Sequence, residues 1–129
     1  MTVLLTLIFS LLMFVSACEP GTDAEGGITQ LSVTEADAQL RSRDAQFIDV
    51  RTEEEYASGR ALGAKNFPLD KLEDQMHDLD KSQPVYVICR TGRRSQEGSE
   101  ILQKAGFEKI YNINGGTSEW IAAGLPTEK

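Results

Sequence analysis

The chain is predicted to fold as an α/β domain whose mostly parallel central sheet is flanked by helices on both faces. Three observations point there. The apolar runs Phe47-Ile48-Asp49-Val50, Val85-Tyr86-Val87-Ile88-Cys89 and Ile110-Tyr111-Asn112-Ile113 have the length and residue types of buried strands. Between them lie stretches with apolar residues at spacings of three and four, and strands alternating with helices build a sheet covered on both faces. About 100 residues come after an apolar leader, enough to bury a core without disulfides or metals.

The leader comes first. All 33 charged side chains (13 Lys and Arg, 20 Asp and Glu) lie beyond residue 18, so the net charge of −7 belongs entirely to the remainder of the chain. Residues 2–17 are apolar apart from Thr2, Thr6, Ser10 and Ser16, a run short for a membrane span and right for the core of an export signal. Its end, Val15-Ser16-Ala17-Cys18, resembles the lipobox of bacterial lipoproteins. That resemblance implies a signal peptide over residues 1–17 and lipidation of Cys18, hence a protein exported to the cell envelope or periplasm and held to a membrane by its lipid. Val15 and Ala17 also suit ordinary signal cleavage, which stays open. Residues 18–27 are expected to be the lipidated cysteine and a flexible tether, acidic and glycine-rich from Glu19 to Gly27. In Gram-negative lipoproteins an aspartate after the cysteine often marks inner-membrane retention; Glu19 leans toward the outer membrane.

The folded domain is expected over residues 28–129. Ser32 and Glu35 are spaced as a capping box, and Val33, Ala36 and Leu40 continue at helical spacing. After the strand at Phe47, Thr52 reads as an N-cap, with Glu53, Glu54 and Glu55 in a first turn that favours negative charge. No histidine or spaced aspartate accompanies these glutamates, so a metal site is not expected. Leu69, Leu72, Met76 and Leu79 mark an amphipathic stretch that also carries His77, the protein's one histidine, read as a surface residue. Beyond the strand at Val85, Ile101, Leu102 and Ala105 share a helical face, with Gly98 inside that helix where it allows close approach to the sheet. The strand at Ile110 is closed by Asn114-Gly115-Gly116, and a terminal helix carries Trp120 and Ile121.

The stretch from Val85 to Ser95 carries the chemistry. Its apolar run ends on Cys89, the basic segment Arg90-Thr91-Gly92-Arg93-Arg94 comes next, and a helical pattern begins at Ser95. A cysteine there faces backbone N–H groups and the positive end of a helix dipole, both of which favour thiolate over thiol. Three arginines add cations. For a cysteine taken alone the competing reading is a small buried side chain that ends a core strand; the arginines, the glycine and the serine after them tip the balance toward a nucleophile.

Cys89 and Arg94 are separated by four residues, and this Cys-x4-Arg loop resembles the active loop of rhodaneses, the thiosulfate and persulfide sulfurtransferases. Asp49-Val50-Arg51 with Glu54, Glu55 and Tyr56 resembles another signature of that family. Gly59 to Pro68 resembles its Gly-His-Ile-x-Gly-Ala-x-Asn-Ile-Pro pattern, with Arg60 at the histidine position and Ala61 at the isoleucine. Gly115-Gly116 and Trp120 fit its terminal helix. The resemblance covers residues 29 to 126 and implies a rhodanese-like fold with Cys89 as nucleophile and residues 90–94 as its N–H cradle. Arg94 is expected to anchor the loop, and Arg90 and Arg93 to attract an anionic donor. Asp49 and Arg51 are expected to be structural, Arg51 pairing with a nearby glutamate to hold a helix start against the sheet.

The implied reaction is a double displacement. Cys89 takes the outer sulfur of thiosulfate or a persulfide donor, and a thiol or other nucleophilic acceptor removes it, without cofactor or metal. A persulfide carrier serving a protein partner is the second reading. A cysteine-based phosphatase or arsenate reductase is the third, disfavoured because those relatives carry Cys-x5-Arg and Ser95 stands where the guanidinium would be. The acidic balance disfavours nucleic acid as a partner, while a local cationic patch can still select small anions. With Cys18 acylated, Cys89 is the lone cysteine, expected to be an exposed thiolate at risk of oxidation.

Overall fold

The computed structural model describes residues 27–129. The signal peptide, Cys18 and most of the tether lie outside the described residues. Among those described, no helix is long and apolar enough to cross a membrane.

The elements run β1 (Ile28–Leu31), α1 (Val33–Ser42), β2 (Gln46–Asp49), α2 (Glu53–Ser58), β3 (Arg60–Ala61), β4 (Lys65–Asn66), α3 (Leu72–Gln75), β5 (Val85–Ile88), α4 (Arg93–Lys104), β6 (Ile110–Ile113), α5 (Gly116–Ala122) and β7 (Thr127–Glu128). Five strands form one sheet in the order β1-β6-β5-β2-β4, every pair parallel. The short β3 and β7 pair antiparallel beside it.

Alternation along β5 shows why the sheet is two-sided. Tyr86 and Ile88 join a core with Val33 and Ala36 of α1 and Trp120 of α5; Val85 and Val87 join the opposite core with Leu72 of α3 and Leu102 of α4. All four residues of β5 are buried, as a central parallel strand requires. Cys89 continues the alternation and falls on the α3–α4 side.

The expected capping box at Ser32 forms, and the N-cap expected at Thr52 proves to be a second one. Ser32 Oγ accepts from Glu35 N at 3.2 Å, and Thr52 Oγ1 accepts from Glu55 N at 3.2 Å. In each, the glutamate returns a bond to the cap backbone. The stretch from Leu69 to Leu79 is not one helix: turns of 3-10 helix at Leu69–Lys71 and Met76–Asp78 flank the four residues of α3, and no side chain caps any of them. Its apolar residues still pack, with Leu72 fully buried. A Cβ at Gly98 would lie 3.3 Å from Val50 Cγ1 and 3.5 Å from Leu72 Cδ2, so this glycine lets α4 approach the end of β2 and α3 together.

Arg60 takes a structural place. Its guanidinium sits 4.4 Å over the Tyr56 ring, donates to Tyr56 O at 3.3 Å and pairs with Glu128 at 3.4 Å. It closes β3 on β7.

Candidate active site

The carboxyl ends of the parallel strands, where open sheets bind ligands, carry Cys89 just beyond β5. A cavity of about 470 Å³ between Gln46, Lys65, Phe67 and Leu79 lies at the opposite end of β2 and has no part in this chemistry.

From Cys89 the chain turns through Arg90, Thr91 and Gly92 into α4, with Gly92 left-handed at φ 107°. The turn closes on the sulfur. Gly92 N donates to Cys89 Sγ at 3.0 Å, and Ser95 Oγ lies 3.3 Å away. Burial pushes the Cys89 thiol up; bonds from the Ser95 hydroxyl and from the amides of Ser95, Gly92 and Thr91 outweigh it and hold the pKa below the ordinary thiol range. These donors favour the thiolate form of Cys89 over what burial alone would allow.

One expectation is corrected here. Cys89 is not exposed: its relative exposure is 1%. It continues the β5 alternation into the core, where Gly92 N and Ser95 Oγ lie against the sulfur.

The surrounding charges of the described residues sort into two pairs and two unpaired cations. Arg94 forks onto Glu55, with Nη1 to Oε1 at 2.7 Å and Nη2 to Oε2 at 2.9 Å. This ties the active loop to the first turn of α2 and holds the Glu55 carboxyl down to about 2, the Arg94 bond being the chief cause. A depressed carboxylate contributes stability above its unfolded value and loses it as pH falls through its folded one. The tie therefore stays intact at neutral pH and loosens only as pH drops from about 4.5 toward 2.

Arg51 pairs differently from expectation. Its Nε donates to both Asp49 oxygens at 3.1 and 3.0 Å, and Nη2 donates to Asp49 Oδ2 and to Gly59 O, each at 2.8 Å. No glutamate takes it, because Glu55 is committed to Arg94 and Glu53 to Lys71, whereas Asp49 sits buried two residues away. The guanidinium bridges the end of β2 to the end of α2 rather than to its start. Arg90 and Arg93 are exposed and make no ion pair among the described residues, and Thr91 is exposed beside them. Next to this loop, Arg51, Ser58, Arg90, Ser118 and Ile121 line a cleft of about 310 Å³.

Several supports of the loop are hard to read from sequence. Glu55 reads there as part of a helix start and of the Asp49-Val50-Arg51 signature, with no sign that Arg94 is its partner. Ser95 reads as the place where a helix begins, although its position directly after the loop brings it within reach of the sulfur. Thr117 and Asn112 carry no local signal: their bonds to Cys89 O and Gly92 O span 28 and 20 residues. Replacing Ser95 with alanine is expected to raise the Cys89 pKa, since a bond that favours the thiolate is lost while burial remains. Ultraviolet titration of the thiolate checks this, and an unchanged titration would leave the hydroxyl without that role.

Comparison with known proteins adds kinship. The rhodanese-like domain family model matches residues 32–123. The thiosulfate sulfurtransferase GlpE of Vibrio cholerae is 30% identical over 98 residues, covering 76% of this chain and 92% of that protein. The putative sulfur carrier protein YrkF of Bacillus subtilis is 28% identical over 103 residues, 79% of this chain but 56% of its own length. Among solved structures, the rhodanese-like domain of the Alr3790 protein from Anabaena sp. superimposes with a TM-score of 0.72 at 29% identity, covering 77% of each chain.

Proposed function

The chain belongs to the rhodanese-like domain family, and from that membership we propose that it is a sulfurtransferase working through a persulfide on Cys89. The observation that carries the reading is the sulfur itself, held by Gly92 N at 3.0 Å and Ser95 Oγ at 3.3 Å inside a loop with four residues between Cys89 and Arg94.

The Cys89 thiolate attacks the outer sulfur of thiosulfate. A new sulfur–sulfur bond forms, the one in thiosulfate breaks, and sulfite leaves with the electron pair. The outer sulfur then occupies the ring of donors that had held the thiolate. An acceptor thiolate attacks that sulfur, takes it, and restores the Cys89 thiolate. Donors already in place need no reorganisation as charge shifts between the sulfurs. Ping-pong kinetics are expected, because the enzyme carries the sulfur between the two half-reactions.

Intact-protein mass spectrometry after thiosulfate treatment tests the reading. A gain of one sulfur atom supports it; no gain with any sulfane donor sinks it. Arg90 and Arg93, the unpaired cations, are assigned to donor capture. Replacing both with alanine is expected to raise KM for thiosulfate roughly three- to tenfold with kcat little changed, the difference shrinking in high salt. A fall in kcat at constant KM would move these residues from capture to chemistry.

A carrier role, with the persulfide delivered to a protein, is the second reading. It draws on the likeness to a putative sulfur carrier and on Ile121, 58% exposed at the edge of the cleft. It predicts normal persulfide formation with slow release to small thiols. Phosphatase chemistry is disfavoured further, because the guanidinium of Arg94 is engaged by Glu55. Export and lipid anchoring through Cys18 complete the proposal. Fatty-acid labelling that disappears in Cys18→Ala tests them, and an unlabelled wild-type chain rejects the anchor.

A further inference from the structure

The inner side of the active loop, facing the sulfur, has an outer counterpart that rests on the same reading of Cys89. Cys89 O accepts twice from one residue, from Thr117 N at 2.8 Å and from Thr117 Oγ1 at 3.0 Å. Arg90 O accepts from Ser118 N at 3.1 Å. In a trans peptide the C=O and the N–H of the next residue point in opposite directions, and the described residues contain no cis bond. A carbonyl drawn outward to α5 therefore turns the next amide inward. The amide after Arg90 O belongs to Thr91, which helps hold the Cys89 pKa down; Thr117 fixes the peptide one step before it, between Cys89 and Arg90.

Close approach makes this possible. Gly116 is left-handed at φ 56°, and a Cβ there would fall 2.5 Å from Cys89 O and from the Arg90 carbonyl carbon. No side chain fits between α5 and the loop. Thr117 is 3% exposed, and its hydroxyl spends its bond on the nucleophile's own carbonyl.

We infer that Thr117 is a positioning residue for sulfur transfer: its hydroxyl and amide fix the Cys89 carbonyl, and with the Ser118 amide on Arg90 O they aim the loop's N–H groups at the sulfur.

The test is Thr117→Val, which removes the hydroxyl at nearly constant volume, with Thr117→Ser as the conservative variant. Arg90, Arg93, the Arg94–Glu55 pair and the Arg51–Asp49 pair stay unchanged, so any shift is not a change of charge. The readouts are the ultraviolet titration of the thiolate, taken as the difference from the Cys89→Ser chain, and the rate of persulfide formation from thiosulfate. In Thr117→Val the thiolate titration is expected to move to higher pH and the rate of persulfide formation to fall about three- to tenfold, and Thr117→Ser should restore both. Thr117→Ala carries the same test if the valine variant does not fold. A variant that loses thermal stability while keeping the titration and rate of wild type overturns the inference and leaves Thr117 a packing residue. If wild type forms no persulfide yet the titration shifts in Thr117→Val, the positioning role stands and the sulfurtransferase reading falls.

Discussion

Cys89→Ala is expected to abolish the one-sulfur mass gain after thiosulfate treatment and to lower turnover by on the order of a thousandfold or more, the scale on which covalent enzymes respond to loss of their nucleophile. Folding should survive. The thiol occupies the end of a core strand where a smaller side chain leaves only a small cavity, a cost of about 1–2 kcal/mol. Activity and stability then separate cleanly, which distinguishes a nucleophile from a core cysteine. The measurement is paired: persulfide yield by mass and Tm by thermal denaturation. A variant with near-normal turnover would show that the sulfur passes through some other group and would end the covalent scheme.

Asp49→Ala is expected to produce the largest loss of stability of any single substitution near the site. The Asp49 side chain is fully buried and that of Arg51 is 6% exposed, so the pair is screened by almost no water. Removing the carboxylate leaves the buried guanidinium with Gly59 O as its acceptor. Breaking a buried pair from one side typically costs about 3–5 kcal/mol, a large share of a domain's total of roughly 5–15 kcal/mol. Tm should fall by at least about 10 °C. Replacing both partners by apolar residues of similar size should cost less than Asp49→Ala alone, because no orphaned charge remains. A loss under about 1 kcal/mol for Asp49→Ala would mean that Arg51 finds other partners or reaches water.

The frame of the domain is legible in the sequence because its signals are local. The apolar run from Val85 to Ile88, the capping box at Ser32, the N-cap at Thr52 and the glycine pair at Gly115 each announce an element within a few residues. The same locality explains the errors. Three glutamates close to Arg51 in the chain suggest a glutamate partner, but a bidentate bond needs direction as well as nearness, and Asp49 has it. The loop after Cys89 suggests an open thiol, whereas the alternation of β5 turns that side chain inward. Thr117 cannot be read at all, since its meaning arises only when α5 is laid against a loop 28 residues earlier. Short-range pattern yields elements, and the long-range hydrogen bonds that shape the loop come from how those elements dock.

Strand direction has one last consequence. β1 runs parallel to β6, and β6 to β5, so Ile28 begins its strand at the end of the sheet opposite Cys89. Whatever is joined through residue 27 leaves from the pole farther from the nucleophile. A partner or surface attached there would meet the side of the domain farther from the nucleophile.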